Sequence, residues 1–248
     1  MTDVVLGMGE VGSTLFDLLT MRGCNCIGVD TNAIRSRNQS STSVTTELIH
    51  ICIPGDIAMF QSVVLECANT YKDAQAILVH STVRPGTAAS LQEKINIPII
   101  SSPARGVHRR FLEDMQRYTK FVATDVDIDQ NLISKIEGRF KKVHWLSSTK
   151  TAEFAKILTD TTYYGWLINY AQLTKIICDM EGMDYDEMWS FADEPHQFLG
   201  NRPKMYPGII GGHCVIPNLA LIDYPELKTV GDINDIFRKH LSQNSNLL

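Results

Sequence analysis

The sequence lacks a long apolar run, a basic tract and Cys-x-x-Cys spacing. No apolar run reaches the roughly 18 residues of a membrane-spanning helix, and no charged segment precedes the apolar stretch at the N-terminus, as a secretory signal requires. The net charge is −5 and the Lys and Arg residues are scattered, which argues against a nucleic-acid partner. The absence of Cys-x-x-Cys spacing favours reduced thiols over disulfides or a zinc site. We therefore expect a cytoplasmic protein that binds no nucleic acid, no membrane and no metal.

What the sequence does contain is the composition of an ordinary globular protein. Hydrophobic residues make up 44% and charged residues 21% of the 248 positions. The chain can therefore bury a sizeable core, and disorder is not expected. A chain of this length fits one large domain, or a standard domain with a smaller one.

A nucleotide-binding motif stands near the N-terminus. An apolar run at 4–6 leads into Gly7-Met8-Gly9-Glu10-Val11-Gly12, a helical pattern follows, and a second apolar run ends in Asp30. Strand, Gly-x-Gly-x-x-Gly, helix, strand and acid form the dinucleotide fingerprint in its required context. Gly7 permits the tight turn, Gly9 lets the backbone approach the pyrophosphate, and Gly12 permits close packing of helix on sheet.

The motif predicts a dinucleotide site and favours NAD as the cofactor. The helix N-terminus would face the phosphates with unpaired N–H groups, so we assign Glu10 and Val11 to the site together with the three glycines. The Asp30 carboxylate can accept both ribose hydroxyls and would repel a 2′-phosphate, which favours NAD over NADP. A glycine-rich turn in another α/β fold and the similar nucleotide loop of a methyltransferase are the alternatives.

Further apolar runs predict the rest of a parallel sheet. They alternate with helical segments, such as the one expected over 57–69, which indicates a doubly wound α/β fold of the Rossmann type. Ligands of such sheets gather at the carboxyl ends of the strands, so we assign Pro54 and Thr82 to the cofactor site. The predicted strands are 49–53, 76–80, 97–101, 121–123 and 143–146.

A long helix is predicted to begin near residue 151 and to continue, without a proline, to about residue 181. Apolar residues recur along it at three- and four-residue spacing, and about 30 helical residues would span about 45 Å. Such a helix often organises a fold or forms a dimer interface, and a plain core helix is the alternative that suits most of its residues better. We expect an NAD-binding domain over 1–149 and a smaller helical domain for substrate binding and dimerisation over 150–248. Lys156 lies between apolar neighbours, and an exposed face or a role as a site lysine explain it equally well.

Beyond this helix, 193–204 is expected to form a polar loop, and 219–222 and 233–240 to form short helical or irregular pieces. The loop leads to Pro207-Gly208-Ile209-Ile210-Gly211-Gly212-His213-Cys214. Its glycines allow the backbone to approach a ligand closely, and it presents one cysteine at its end. Cys214 could be a thiol nucleophile, although a lone cysteine is more often a small buried apolar residue. His213 is a minor candidate for lowering the pKa of that thiol.

A small basic cluster follows the predicted strand at 97–101. Arg105, His108, Arg109 and Arg110 could bind a phosphate or carboxylate of a substrate, and a solvated helix start explains them equally well. Our candidate substrate contacts are Arg105, His108, Gly211, Gly212, His213 and Asn218.

With these motifs in place, the chain resembles the nucleotide-sugar dehydrogenases, the UDP-glucose/GDP-mannose dehydrogenase family. The resemblance rests on the glycine turn, on Ser-Thr-Val-Arg-Pro-Gly-Thr at 81–87, on Ser-Pro-Ala-Arg at 102–105, on Thr-Ala-Glu-Phe-Ala-Lys at 151–156, and on the segment that ends at Cys214. It implies oxidation of a sugar primary alcohol to a carboxylate with two NAD and a cysteine thioester. It also implies that Cys214 is the nucleophile, that Lys156 stabilises oxyanion-like intermediates, and that Thr82 positions the cofactor or a catalytic water.

The chain departs from this family at several positions. Asp160 stands where the family usually has an asparagine; it could still hold water or bond the substrate, and it would also pair with Lys156. Ala104 replaces a glutamate, and Asn218 replaces an aspartate four residues after the cysteine. We also expect no counterpart of the family's second Rossmann-like domain, which holds the sugar nucleotide. The substrate would then lack a nucleotide, a partner would supply that domain, or the activity would have decayed.

Two other functions are compatible with the same residues. A simple two-electron dehydrogenase resembling the β-hydroxyacid dehydrogenases would also use a helix lysine, followed four residues later by an amide, to hold its substrate. In that case Cys214 would be structural. A non-catalytic NAD-binding scaffold or sensor is the third hypothesis, favoured by Ala104 and Asn218.

Overall fold

The computed structural model describes residues 1–38, 45–56, 58–199, 206–212, 214–222 and 225–244. The chain divides into two compact units, Met1–Lys156 and Ile157–Leu248. No helix within these described ranges is long and apolar enough to cross a membrane.

The first unit contains a five-stranded parallel sheet in the order β2-β1-β3-β4-β5. The order reverses between β1 and β3, and open α/β sheets bind ligands at the carboxyl ends of the strands that flank such a switch point. The strands are β1 (Thr2–Leu6), β2 (Cys26–Val29), β3 (Thr46–Ile51), β4 (Ala76–Val79) and β5 (Ile99–Ser101).

Helices cover both faces of this sheet, which confirms the predicted doubly wound fold. On one face α1 packs through Leu15 and Leu19 and α5 through Ile136; on the other, α2 packs through Val64 and α3 through Leu91. Successive strand residues point to opposite faces, so each strand contributes to both cores. The helices of this unit are α1 (Glu10–Met21), α2 (Phe60–Thr70), α3 (Thr87–Gln92), α4 (Phe111–Arg117), α5 (Gln130–Gly138) and α6 (Thr149–Ala155), with 3-10 turns at Ala33–Arg35 and His108–Arg110.

The last two predicted strands are present but do not extend the main sheet. β6 (Lys120–Val122) and β7 (Val143–Trp145) form a separate parallel pair. An isolated antiparallel bridge joins Ser101 to Ala123 through two N–H···O bonds of 2.9 Å. Because the chain passes β5 in the antiparallel direction at this point, β6 cannot continue the parallel ladder.

An ion network ties the start of β1 to α5. The Arg139 guanidinium donates to both carboxylate oxygens of Asp3 at 2.8 and 2.9 Å, and also to Glu47 at 2.6 Å. Lys135 pairs with Glu47 at 2.9 Å. Asp3 is 1% exposed and also contacts His50 Nε2 at 3.5 Å, and the guanidinium supplies the fixed positive charge that compensates this buried carboxylate.

The predicted long helix is confirmed. α6, a π-helical segment (Lys156–Thr162) and α7 (Tyr163–Glu181) follow one another directly, and Gly182 ends the run in a left-handed conformation with φ 68°. The π segment is a feature that apolar periodicity did not predict. Within it the Thr162 hydroxyl donates to the Ile157 carbonyl five residues earlier, at 2.8 Å.

The second unit is helical, and one predicted loop in it is wrong. Residues 193–199 belong to α8 (Tyr185–Leu199), which continues through Pro195, while 200–204 lie outside the described residues. A proline removes one main-chain N–H and need not end a helix whose other hydrogen bonds persist. The last helices are α9 (Val215–Leu219) and α10 (Pro225–Asn244), so the expected short piece at 233–240 lies within a helix of 20 residues.

One face of α7 carries a row of large apolar side chains exposed to solvent. Each is between 38% and 75% exposed, and they recur at alternating spacings of three and four residues. We call this row the α7 stripe; it comprises Tyr163, Trp166, Tyr170, Leu173, Ile177 and Met180.

Candidate functional site

The glycine motif forms a tight turn between β1 and α1. Gly7 has φ 89°, which favours glycine, and a Cβ on Gly12 would lie 1.7 Å from the Gly7 carbonyl oxygen. Apart from its neighbours in the chain, no atom of the described residues lies within 4 Å of a Cβ built on Gly9. The backbone at Gly9 is therefore open to a ligand, whereas Gly7 and Gly12 are closed by the protein itself.

The Asp30 carboxylate holds this turn against the end of β2. One oxygen accepts the backbone N–H of Met8 at 2.7 Å, and the other accepts the N–H of Asn32 at 2.8 Å. The Asp30 N–H in turn donates to the Ser36 hydroxyl at 3.1 Å. The acid predicted to receive the ribose thus also fixes the loop beneath it.

A cleft of about 420 Å³ opens beside the turn. Two arginines on its wall were not identified from the sequence, because no motif marks them. Arg37 forms an ion pair with Asp17 at 2.7 Å, and its guanidinium lies over the Phe16 ring, 5.4 Å from the ring centre. The cleft is lined by Met8, Gly9, Glu10, Ser13, Ile34, Arg35 and Arg37.

The loop after β3 contacts the loop after β4 at Gly55, a glycine that we did not assign to the site from the sequence. A Cβ on Gly55 would lie 2.0 Å from the Thr82 carbonyl oxygen. The Ser81 hydroxyl donates to the Ile53 carbonyl at 2.5 Å. The predicted cofactor residues Pro54 and Thr82 therefore belong to adjoining loops at the carboxyl edge of the sheet, with Pro54 exposed and Thr82 half-buried.

Lys156 directly follows α6, and carboxylates fix that helix at two points. Glu153, one turn before Lys156, is 3% exposed and accepts the backbone N–H groups of Gly86 at 2.6 Å and Ala88 at 2.9 Å. Asp125 accepts the N–H of Thr149 at 2.9 Å. The two hydrogen bonds of Glu153 join the helix that leads into Lys156 to the loop that carries Thr82.

Lys156 and Arg105 share their surroundings with a third cation, Lys120. The Lys120 ammonium donates to the carbonyls of Ser102 at 2.7 Å and Pro103 at 3.1 Å. Burial lowers the pKa of Lys120 to about 7, and the nearby charges of Arg105 and Lys156 act in the same direction. Sequence reasoning missed this lysine, because only the fold brings it to the end of β5.

The predicted basic cluster is largely engaged with protein groups. Arg105 donates to the Thr119 carbonyl at 2.8 Å, and its guanidinium lies 4.8 Å from the Phe121 ring centre. Arg110 pairs with Asp114 at 3.1 Å. The side chain of His108 lies outside the described part of the chain. Ala104, at the family's glutamate position, is 7% exposed.

In the second unit, three linked buried amides reach the segment that leads to Cys214: Asn234 and Gln172 bond it directly, and Asn169 bonds Gln172. The Asn234 amide donates to the Ile210 carbonyl at 3.1 Å and accepts the Ile210 N–H at 2.8 Å. Gln172 donates to the Gly208 carbonyl at 2.8 Å and to Asn234 at 3.1 Å, and it accepts from Asn169 at 2.8 Å. The sequence analysis did not predict that these residues are buried, because a search for apolar periodicity takes no account of polar side chains.

Cys214 is the N-cap residue of α9 and is half-buried, and Asn218 lies one turn further along that helix. Gly211 and Gly212 are exposed, and Gly212 has φ 70°. Asp160 lies in the π-helical segment. His213 lies outside the described residues. The roles assigned to all these residues stay predictions.

No protein-family model matches the chain. A UDP-N-acetyl-D-mannosamine dehydrogenase from Methanococcus maripaludis is 24% identical to it over 85% of this chain and 58% of that enzyme. The chain thus spans little more than half the length of the curated relatives it matches.

Solved structures show the same fold. A UDP-D-ManNAc dehydrogenase from Pyrococcus horikoshii matches with a TM-score of 0.81 and 17% identity, over 98% of this chain and 70% of that one. A 3-hydroxyisobutyrate dehydrogenase from Mycobacterium tuberculosis matches with a TM-score of 0.66 and 14% identity, over 97% of this chain and 94% of that one. The comparisons confirm the resemblance that the sequence motifs indicate.

Proposed function

We propose that this chain, which resembles the nucleotide-sugar dehydrogenases over most of its length, binds NAD and oxidises an alcohol group of a sugar or sugar nucleotide. The observation that carries the proposal is the glycine turn, in which Gly7 and Gly12 are closed by the protein while Gly9 stays open to a ligand. Gly9 and the first N–H groups of α1 would receive the pyrophosphate. Asp30 would receive the ribose. NAD supplies the hydride acceptor for such an oxidation.

Cys214 and Lys156 are the proposed catalytic residues. After the first oxidation has produced an aldehyde, the Cys214 thiolate would add to its carbonyl carbon to give a thiohemiacetal, and transfer of a hydride from that carbon to a second NAD would give a thioester. Water would then cleave the thioester to release the carboxylate and return the thiol. Lys156 would stabilise the negative charge on the substrate oxygen as a fixed cation, with its helix held by Glu153. Thr82 and Asp160 would orient water or substrate.

We further propose that two copies associate through the α7 stripe. Alternating spacings of three and four residues form the seam by which one helix packs against another. A second copy presents the same row of six side chains, so a two-fold contact would bury both rows.

A second candidate function is two-electron oxidation of a β-hydroxyacid. It is favoured by the coverage of the 3-hydroxyisobutyrate dehydrogenase, 94% of which this chain matches in fold. Lys156 would then hold the substrate carboxylate, and Cys214 would take no part in the reaction.

Product stoichiometry separates the two candidates. We would incubate the purified chain with NAD and a panel of sugar nucleotides, free sugars and hydroxyacids, and measure NADH against substrate consumed. Two NADH per substrate, lost in Cys214→Ser, supports the thioester route. One NADH per substrate, retained in Cys214→Ser, supports the simple route. Failure to bind NAD would contradict both.

A further inference from the structure

The three linked amides, two of which bond the cysteine segment directly, are among the most buried polar groups of the second unit. Asn169, Gln172 and Asn234 are 1%, 0% and 2% exposed. Buried amides are costly unless hydrogen-bonded, and apolar residues of similar size would fill the same space without that requirement. A row of such amides therefore suggests a task other than filling the core.

The Asn234 side-chain amide bonds both backbone groups of Ile210, as the backbone of a neighbouring β-strand would. Its amide makes both a donated and an accepted bond with that one residue, at 3.1 and 2.8 Å. The same Asn234 oxygen accepts from Gln172 at 3.1 Å. These partners fix the orientation of the amide, because a flipped Asn234 would set donor against donor and acceptor against acceptor.

Ile210, whose backbone Asn234 bonds, lies only four residues before Cys214. The Ile210 side chain packs in one apolar cluster with Leu219 and Val230, and Val215 joins the same cluster. A Cβ on Gly165 would lie 3.1 Å from Val215 and 3.0 Å from Val230, so this helix contact is close. The residues before and after the cysteine are thus anchored to the same part of the second unit.

We propose that Asn234 is a positioning residue for Cys214. Its paired hydrogen bonds with Ile210 set the path of the glycine-cysteine segment and so place the thiol. This inference rests on the proposed role of Cys214 as nucleophile.

Two variants of Asn234 and one control test the inference. Asn234→Ala removes every bond to Ile210. Asn234→Leu keeps about the same size but can neither donate to the Ile210 carbonyl nor accept the Ile210 N–H. Cys178→Ala is the control, because Cys178 is 0% exposed and packs in a separate cluster with Ala171 and Tyr185. It weakens the same unit without touching the segment.

The first measurement is the rate at which iodoacetamide alkylates Cys214 at neutral pH, followed by peptide mass spectrometry, with Tm recorded for each variant. Release of the segment should expose the half-buried thiol and raise the rate about tenfold in both Asn234 variants. The control should stay within about twofold of the wild type. Equal acceleration in Cys178→Ala, or no acceleration in either Asn234 variant, would overturn the inference. Asn234→Leu serves alone if Asn234→Ala does not fold.

The second measurement is steady-state turnover. A thiol displaced by about 1 Å is expected to lose about 100-fold in kcat, with the KM for NAD unchanged. Faster alkylation with slower turnover identifies positioning, whereas unchanged kcat despite faster alkylation overturns it. Alkylation needs neither NAD nor substrate. A wild type without any oxidation activity would therefore count against the proposed function, while the alkylation rates still decide whether Asn234 holds Cys214.

Discussion

The Asp30 carboxylate accepts the backbone N–H of Met8 at 2.7 Å, so the acid at the end of β2 is bonded directly to the turn it serves. The residue expected to discriminate between cofactors is therefore also a structural tie. A substitution here should change cofactor binding and loop stability together.

Replacing Asp30 with Ala should weaken NAD binding by about 10- to 100-fold, because hydrogen bonds to a charged group contribute about 1.5–3 kcal/mol. The ratio of NADP to NAD affinity should rise as the repulsion of a 2′-phosphate is removed. Calorimetric titration with both nucleotides measures the two effects. Asp30→Asn, which keeps an acceptor, should lose less NAD affinity. Equal NAD affinity in all three proteins would contradict the assignment.

Alanine substitutions at Gly12 and Gly9 should have different effects, the first on folding stability and the second on cofactor binding. Gly12→Ala places a Cβ 1.7 Å from the Gly7 carbonyl oxygen, and we expect a loss of about 3 kcal/mol or roughly 6–12 °C in Tm. Apart from its chain neighbours, the new Cβ of Gly9→Ala meets no atom within 4 Å in the part of the chain that the structure describes, so Tm should hardly change while NAD binding is lost. Thermal unfolding and calorimetry on both variants check this contrast. Unimpaired NAD binding by Gly9→Ala would place the pyrophosphate elsewhere.

Lys120 should make the folded state more stable as pH rises above neutrality. Its pKa is about 7 in the folded chain, against 10.5 for an ordinary lysine. Between these values the unfolded state binds more protons, so the free energy of unfolding increases with pH; below about pH 7 the full cost of burying the charge is present. Lys120→Met should flatten this rise.

The pH range matters for the Lys120 measurement because buried thiols act in the opposite direction. Burial raises the pKa of Cys52 to about 12, so above about pH 9 the unfolded thiol loses its proton first and stability falls. Urea unfolding between about pH 7 and 8.5 therefore isolates the lysine. An identical slope in the wild type and Lys120→Met would contradict the lowered pKa.

The α7 stripe should control association. Ile177 and Ile236 are both 53% exposed, and only Ile177 lies in the stripe. Ile177→Lys should convert a dimer to a monomer because a charge would be buried at the seam, while Ile236→Lys should leave the dimer intact. Sedimentation equilibrium over a range of concentrations distinguishes these states. A wild type that is monomeric throughout would refute the proposed dimer.

The fold was predictable from the sequence in the segments where the apolar periodicity and the positions of the glycines indicate the same elements. The strand, glycine turn, helix and acid over 4–30 and the long helix that ends at Gly182 follow from local pattern. The polar composition of 193–204 misled the prediction, because 193–199 belong to α8, which continues through Pro195. The π segment and the separate β6–β7 pair depend on tertiary contacts that no local pattern records.

The candidate site was only partly predictable. Asp30 and the glycines belong to a motif with fixed spacing, so the sequence was sufficient to find them. Lys120 and Asn234 acquire their positions from chain segments far away in sequence, and a buried polar residue resembles an exposed one in a hydropathy pattern. Such residues can be found only after the fold is known.

The tie between Asp3 and Arg139 has a consequence for the order of events during synthesis. The two partners are 136 residues apart, so a ribosome exposes Asp3 long before it has made Arg139. Until then, packing β1 would bury the Asp3 carboxylate without its guanidinium partner and leave it the longer contact with His50 at 3.5 Å, at a cost of about 3–5 kcal/mol. The nascent sheet should therefore stay loose, and a chaperone would find its apolar strands accessible, until the chain beyond α5 leaves the exit tunnel.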